Sequence, residues 1–317
     1  MDSFVFALTV VLPLFLLMAI GFLFRTKQII GGRFISDANK LIFRFALPLL
    51  LFDNIYSAKI LFGEYIDLIS FTIIAICFLV LILMLTVPML VKNGSHRGII
   101  IQGLFRSNFV FLGLPLAMNM YGPEGIGATS AIIPIVIPLF NFFAVIVLNV
   151  FSQNKKQNIL KNIIQVAQGV IANPLIIASF LAIIFVYCNV DLPTFIKQII
   201  SDVGKIATPL ALIILGGNFT IKESIKNKTA IAWTTLGKLI IIPALMIVIA
   251  VLFGLRGQYL AVILAVFATP GAVSGYVMVH EGGGDSSLAG QLVVYSTAFC
   301  CITLFIFIFV LKELALI

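Results

Sequence analysis

Charge is what this sequence has least of. Only 10% of its 317 residues are Asp, Glu, Lys or Arg, and it holds two histidines, four cysteines and one tryptophan. The reactive groups of most enzymes are therefore scarce, and those present form no motif. There is no GxSxG, no phosphate-binding glycine loop and no pair of catalytic carboxylates. The stretch "HEGGGD", His280 to Asp285, opens like a zinc-protease helix but has Gly284 where the second histidine belongs, so it reads as a flexible turn. Cys77, Cys188, Cys300 and Cys301 lie in or at the ends of apolar runs without CxxC spacing and read as packing residues, as does Trp233. These absences argue against an enzyme, a metal centre and a bound cofactor.

What the sequence has in abundance is apolar surface. A mean hydropathy of +1.20, with 62% hydrophobic residues, exceeds what a water-soluble core absorbs. The chain is read as an all-α integral membrane protein. Crossing the bilayer takes about 20 apolar residues, and windows between charged breaks give ten such spans. They lie near 3–24, 37–57, 66–91, 97–120, 127–152, 163–187, 194–217, 228–254, 257–281 and 286–311. The first is a span that stays, because it has no basic leader and no small-residue cleavage site.

The net charge of +8 has a topological reading. Arg25, Lys27, Arg33, Lys92, Arg97, Lys155, Lys156, Lys161, Lys222, Lys226 and Lys228 fall on one side, against Lys59, Arg256 and Lys312 on the other. This is the positive-inside pattern. It places both termini on the non-cytoplasmic side of a cell inner membrane and leaves no need for a nucleic-acid partner.

Prolines mark an internal repeat. Pro13 in "LPLFLLMAIGFLF" and Pro174 in "NPLIIASFLAIIF" are 161 residues apart, as are Pro48 and Pro209, and the same shift maps Arg44 onto Lys205. Pro115 and Pro270 are 155 apart. The expected organisation is a five-span repeat over 1–151, a short basic cytoplasmic linker over 152–162, and a second five-span repeat over 163–317. Because five is odd, the second repeat enters the membrane from the opposite side. Inverted repeats of this kind are common in secondary transporters, with the substrate near the midplane.

Proline within a span removes a backbone hydrogen bond, and irregular backbone survives in hydrocarbon only beside protein or a water-filled cavity. In span 9, "FATPGAVSGYV" offers Thr269 as an N-cap, Pro270 as the first residue of a half-helix and Gly271 for close approach. In span 4, Asn108 and Gly113 precede Pro115. Two breaks at one depth bring two positive half-helix ends together, which makes an anion site with Asn108, Thr269 and Ser274 beside it. The alternative is ordinary proline in packed membrane helices. Arg106, deep in span 4, either attracts a carboxylate or pairs with a neighbouring helix. Asp53, in the outer part of span 2, is either a proton or cation carrier or a solvated helix end.

"SNFVFLGLPLAMNMYG", "NPLIIASFLAIIF", "ATPLALIILGGNFTIK" and "ATPGAVSGYVMVHEGGGDSSLAGQLVVYST" together resemble the auxin efflux carrier family, including bacterial members described as malate or malonate permeases. The resemblance runs essentially end to end. It implies ten helices in two inverted five-helix repeats, akin to bile-acid sodium symporters and sodium-proton antiporters, with broken helices 4 and 9 crossing. It also implies a scaffold part and a transport part that move relative to each other. In plant relatives the Asn of an N-x-x-x-x-G-x-P stretch contacts the substrate carboxylate, and the matching stretch here runs from Asn108 to Pro115. The long cytoplasmic loop of the plant hormone exporters has no counterpart, so auxin is a poor substrate guess.

The expected function is secondary transport of small organic anions by alternating access. Arg106, Asn108, Gly113, Pro115, Thr269, Pro270, Gly271 and Ser274 would form the binding site, Asp53 would be the ion-coupling candidate, and H+ or Na+ the coupling ion. A second copy of the chain is a further candidate partner. The alternative is a membrane sensor that binds a carboxylate or auxin-like ligand without carrying it.

Overall fold

In hydrocarbon no water pairs with the backbone, so long runs of Leu, Ile, Val and Phe satisfy their N–H and C=O groups by forming helices. The computed structural model of the chain describes residues 2–57, 62–151, 168, 172–217, 227–281 and 283–317, and every regular element among them is helical. The basic linker expected at 152–162 lies outside the described residues.

The chain begins with α1 (Ser3–Thr26). α2 (Gly32–Leu41) passes through a π-helical turn at Ile42–Ala46 into α3 (Leu47–Ser57). α4 (Ile66–Leu90) follows, then α5 (Gly94–Phe105). After an irregular stretch at 106–108, a second π turn at Phe109–Gly113 leads into α6 (Leu114–Val150). α7 (Pro174–Tyr187) and α8 (Thr194–Gly217) come next. α9 (Lys228–Leu236) runs through a third π turn at Gly237–Ile241 into α10 (Ile242–Leu252). α11 (Gly257–Ala268), an irregular stretch at 269–272, α12 (Val273–Glu281) and α13 (Ser286–Glu313) complete the order.

Among the described residues, eight helical segments are long and apolar enough to cross a bilayer. The rod of α2 and α3 carries Arg33, Asp37, Lys40, Arg44 and Asp53 and does not join them on composition, and α7 has 14 residues. Burial separates the eight. In the 18-residue stretches that qualify them, 83% of the residues of Gly94–Gly122 and 72% of those of Gly257–Tyr276 are buried, against 28% to 50% for the other six. Those two, each interrupted midway, form the inside of the molecule. The outer helices turn apolar side chains outward, as with Met89 and Leu90 of α4, which suits a lipid surround.

The three π turns share a cause. Each lies immediately ahead of a proline: Pro48, Pro115 and Pro243 are the second residues of α3, α6 and α10. A proline ring clashes with the carbonyl four residues back. Widening the preceding turn relieves the clash: the N–H groups of Leu47, Leu114 and Ile242, each next to its proline, reach five residues back to the carbonyls of Ile42, Phe109 and Gly237. Elsewhere α6 folds back on itself at Gly122, whose φ of 56° and ψ of −135° are open to glycine. The two arms of α6 are thereby antiparallel enough that Gly98 of α5 meets the Val147 carbonyl.

Close backbone approach joins the outer helices. α1 packs on α8, and α3 on α7 and α8. A β-carbon on Gly21 would overlap the carbonyl of Ile213, and one on Gly216 the carbonyl of Met18, so these glycines bring α1 and α8 into backbone contact. A β-carbon on Gly204 would sit 2.9 Å from the Leu50 Cα.

Candidate functional site

The inner pair of helices is interrupted at 106–108 and 269–272, and the interruptions touch: the Asn108 N–H donates to the Pro270 carbonyl at 2.7 Å. This corrects the placement of the first break. Gly113 has helical dihedrals (φ −69°, ψ −42°) and Pro115 lies within α6, because the π turn absorbs the proline without opening the helix. Gly113 serves packing instead, since a β-carbon there would stand 2.7 Å from the Phe109 ring and 3.2 Å from the Ala265 carbonyl of α11.

Span 9 differs from expectation as well. Thr269 closes α11 rather than opening the next helix, and its Oγ1 donates to its own Ala265 carbonyl at 2.8 Å. Pro270 and Gly271 lie in the irregular stretch, and α12 starts at Val273. The Gly271 N–H donates to Ser296 Oγ on α13 at 3.0 Å, which anchors the break.

A cavity of about 220 Å3 opens at this crossing. The first turns of both onward half-helices line it, through Phe109, Val110 and Phe111 on one side and Ala272, Val273 and Ser274 on the other. Its far wall comes from the outer helices: Asn39 and Phe43, Asn173 and Leu175, and Ala211 and Leu215 of α8. Arg106, Ser107 and Asn108 at the break, with Asn141 of the second arm of α6, supply most of the polar lining.

Arg106 is 6% exposed. Its Nη2 donates to Asn141 Oδ1 at 2.7 Å and to Ser274 Oγ at 2.9 Å, and its Nη1 to the Met278 sulfur at 2.7 Å. These acceptors are neutral, and no ion pair involves Arg106 among the described residues. A guanidinium has five donors, so this cation is held in place without being neutralised. Asn108 and Ser107 are equally buried. The Asn108 side chain makes no hydrogen bond among the described residues, and Ser107 Oγ has no partner.

The crossing thus brings together Arg106, Asn108 and Ser274 of the expected set, with Pro270 and Gly271 as the backbone bridge. It leaves out Asp53, which is half-buried on α3, accepts from Ser57 Oγ at 2.9 Å and does not line the cavity. Asn141, Asn39, Asn173 and Ser107 were missed by sequence reasoning. A lone Asn within "PLFNFFAVIV" was the available signal for Asn141, as an isolated amide in an apolar span.

A buried crossing of two interrupted helices, lined by an unneutralised cation and placed between inner and outer helices, is the architecture of a multi-pass membrane carrier. Residues 6–308 match the family described as membrane transport protein, and the chain belongs to that family, the auxin efflux carrier-like group that its motifs resemble. It is also similar to an uncharacterized transporter of Methanocaldococcus jannaschii, 24% identical over 308 residues that cover 92% of this chain and 94% of that protein.

Proposed function

We propose that the protein is a secondary transporter of small organic anions, mono- or dicarboxylates such as malate or malonate, that works by alternating access across the cytoplasmic membrane. The observation that carries this reading is Arg106, a buried cation with neutral partners facing a cavity. An uncompensated charge in a membrane interior is costly and is kept where it meets a substrate or ion. Asn108 and Ser107 add polar groups with unmet hydrogen-bonding capacity, and the half-helix ends add positive dipole.

The cavity's size supports the substrate class. At about 220 Å3 it is smaller than the roughly 300–1,000 Å3 of sites for drug-sized ligands, which favours short carboxylates over an indole-bearing hormone. Its position supports alternating access, because movement of inner against outer helices would expose it to either side.

The packing supports ten spans in two inverted repeats. With spans 1 and 2 taken as counterparts of spans 6 and 7, the contact of α1 with α8 and that of α3 with α7 exchange under the repeat. The distance along the chain between the two breaks also returns close to the spacing of the other proline pairs.

The test is uptake of radiolabelled malate, malonate, succinate, lactate and pyruvate into proteoliposomes, with thermal stability read in parallel. A ligand at 100 times its Kd adds about 2.7 kcal/mol to the stability of the state it binds. At least one carboxylate is expected both to stabilise the protein and to be taken up. A folded protein indifferent to the whole panel on both readouts would remove this assignment.

A further inference from the structure

The crossing has a second cavity, on the side of α5, α9 and α13 rather than of α2, α7 and α8. It is small, about 30 Å3, room for a water-sized occupant. Its polar lining includes Gln102, Thr235 and Lys238. Lys238 is 1% exposed, and among the described residues its Nζ has no hydrogen-bond partner; both amide atoms of Gln102 and the Thr235 hydroxyl are likewise buried and unpartnered there. Nothing in the proposed binding site accounts for a second buried cation.

Among the described residues, the groups that face Lys238 hold no acid. Arg106 reaches the cavity from the end of α5, Tyr276 from α12 and the Cys300 thiol stands near from α13. α10 has no ionisable side chain, and Tyr259, the only one on α11, donates to the Glu64 carbonyl instead of lining this cavity. Lys228 of α9 lines a separate apolar cavity.

An unpaired ammonium buried in such a place costs several kcal/mol. Releasing the proton removes that cost, and so does an anion nearby. The crossing can supply the anion, because Arg106 and Ala272 line both cavities. A carboxylate in the larger cavity and a proton on Lys238 therefore favour each other, and that linkage is reciprocal.

We infer that Lys238 is the proton-carrying residue of the transport cycle, protonated when a carboxylate occupies the crossing and neutral when the crossing is empty. The Nζ takes a proton from water on the side where the anion enters and returns it to water on the side where the anion leaves. Anion and proton travel together, with Lys238 alternating between NH2 and NH3+. This rests on the organic-anion reading above, and it assigns the coupling to Lys238 in place of Asp53.

The test uses full-length protein in proteoliposomes, with whichever of malate, malonate, succinate, lactate or pyruvate the wild type takes up. Two assays are compared: accumulation driven by an inwardly directed proton gradient, and exchange of labelled for unlabelled carboxylate without a gradient. One-to-one symport of a monoanion against one pH unit gives about tenfold accumulation. Wild type is expected to show it. Lys238→Met and Lys238→Arg are expected to lose it while still exchanging, since neither side chain gives up and regains a proton. Arg also keeps the charge, so it covers the case in which the Met variant fails to fold. Gradient-driven accumulation at the wild-type level in either variant overturns the inference, as does wild-type uptake that ignores the proton gradient. Wild type that carries none of the five carboxylates overturns the organic-anion reading itself, and this inference with it.

Discussion

Two close helix crossings are built by opposite means. Where α1 meets α8, Gly21 and Gly216 remove side chains so that two unbroken helices touch backbone to backbone. Between α5 and α6, and between α11 and α12, the helices are interrupted, and there the Asn108 N–H joins the Pro270 carbonyl. The first crossing leaves nothing polar to face a solute. The second frees backbone and collects Arg106, Ser107, Asn108 and Ser274 around a cavity. Close approach by glycine serves packing, whereas close approach by a break opens a polar cavity, the one proposed above to bind the anion.

The comparison can be broken most easily at its glycines. Gly216→Ala forces a β-carbon into the Met18 carbonyl, and because backbone on both sides must shift, it should exceed the roughly 1–3 kcal/mol of ordinary overpacking. Gly271→Ala adds a β-carbon whose nearest neighbour, Ser296 Oγ, stands at 3.4 Å, and stability close to wild type is expected. Thermal unfolding in detergent decides; similar losses in both variants would erase the distinction.

Arg106→Met should separate function from folding. A hydrogen bond to a charged group contributes about 1.5–3 kcal/mol, or about 10- to 160-fold in affinity. Carboxylate uptake should fall by that factor at low substrate concentration, while stability stays level or rises because an uncompensated charge has gone. A variant that loses stability but still binds carboxylate would place Arg106 with the packing residues.

Asn108→Ala should be milder, about three- to tenfold in apparent affinity, the range of a neutral hydrogen bond. Thr269→Val should change least, because that hydroxyl is already engaged with its own helix through Ala265. Uptake titrations on the two variants check the order, and a Thr269 effect larger than the Asn108 effect would reverse the assignment of the binding groups.

Most of the helices were legible because apolar length is a strong signal that nothing in the chain contradicts. The crossing was half legible. Proline marks both a true interruption, as at Pro270, and a π turn inside a continuous helix, as at Pro115, and one residue type cannot distinguish them without its neighbours in space. Thr269 shows the same ambiguity, since a threonine before proline can finish one helix or start the next. Lys238 left a mark, a single cation in "TTLGKLIIIPALMIV", but its isolation from carboxylates among the described residues is a property of four other helices. Asn141 emerged only when the fold laid the second arm of α6 beside Arg106.

The prolines that follow the π turns have a consequence for helix phase. A π turn holds one residue more than an α turn, and each residue advances an α-helix by about 100°. The face presented before such a turn is therefore not the face presented after it. In the rod of α9 and α10 the turn at Gly237–Ile241 contains Lys238 itself. Pro243 thus acts at a distance, as the peg that keeps the helix wound out of step and the lysine aimed at the protein interior. A chain without that proline could rewind to a regular spiral and carry the same lysine around toward the lipid tails.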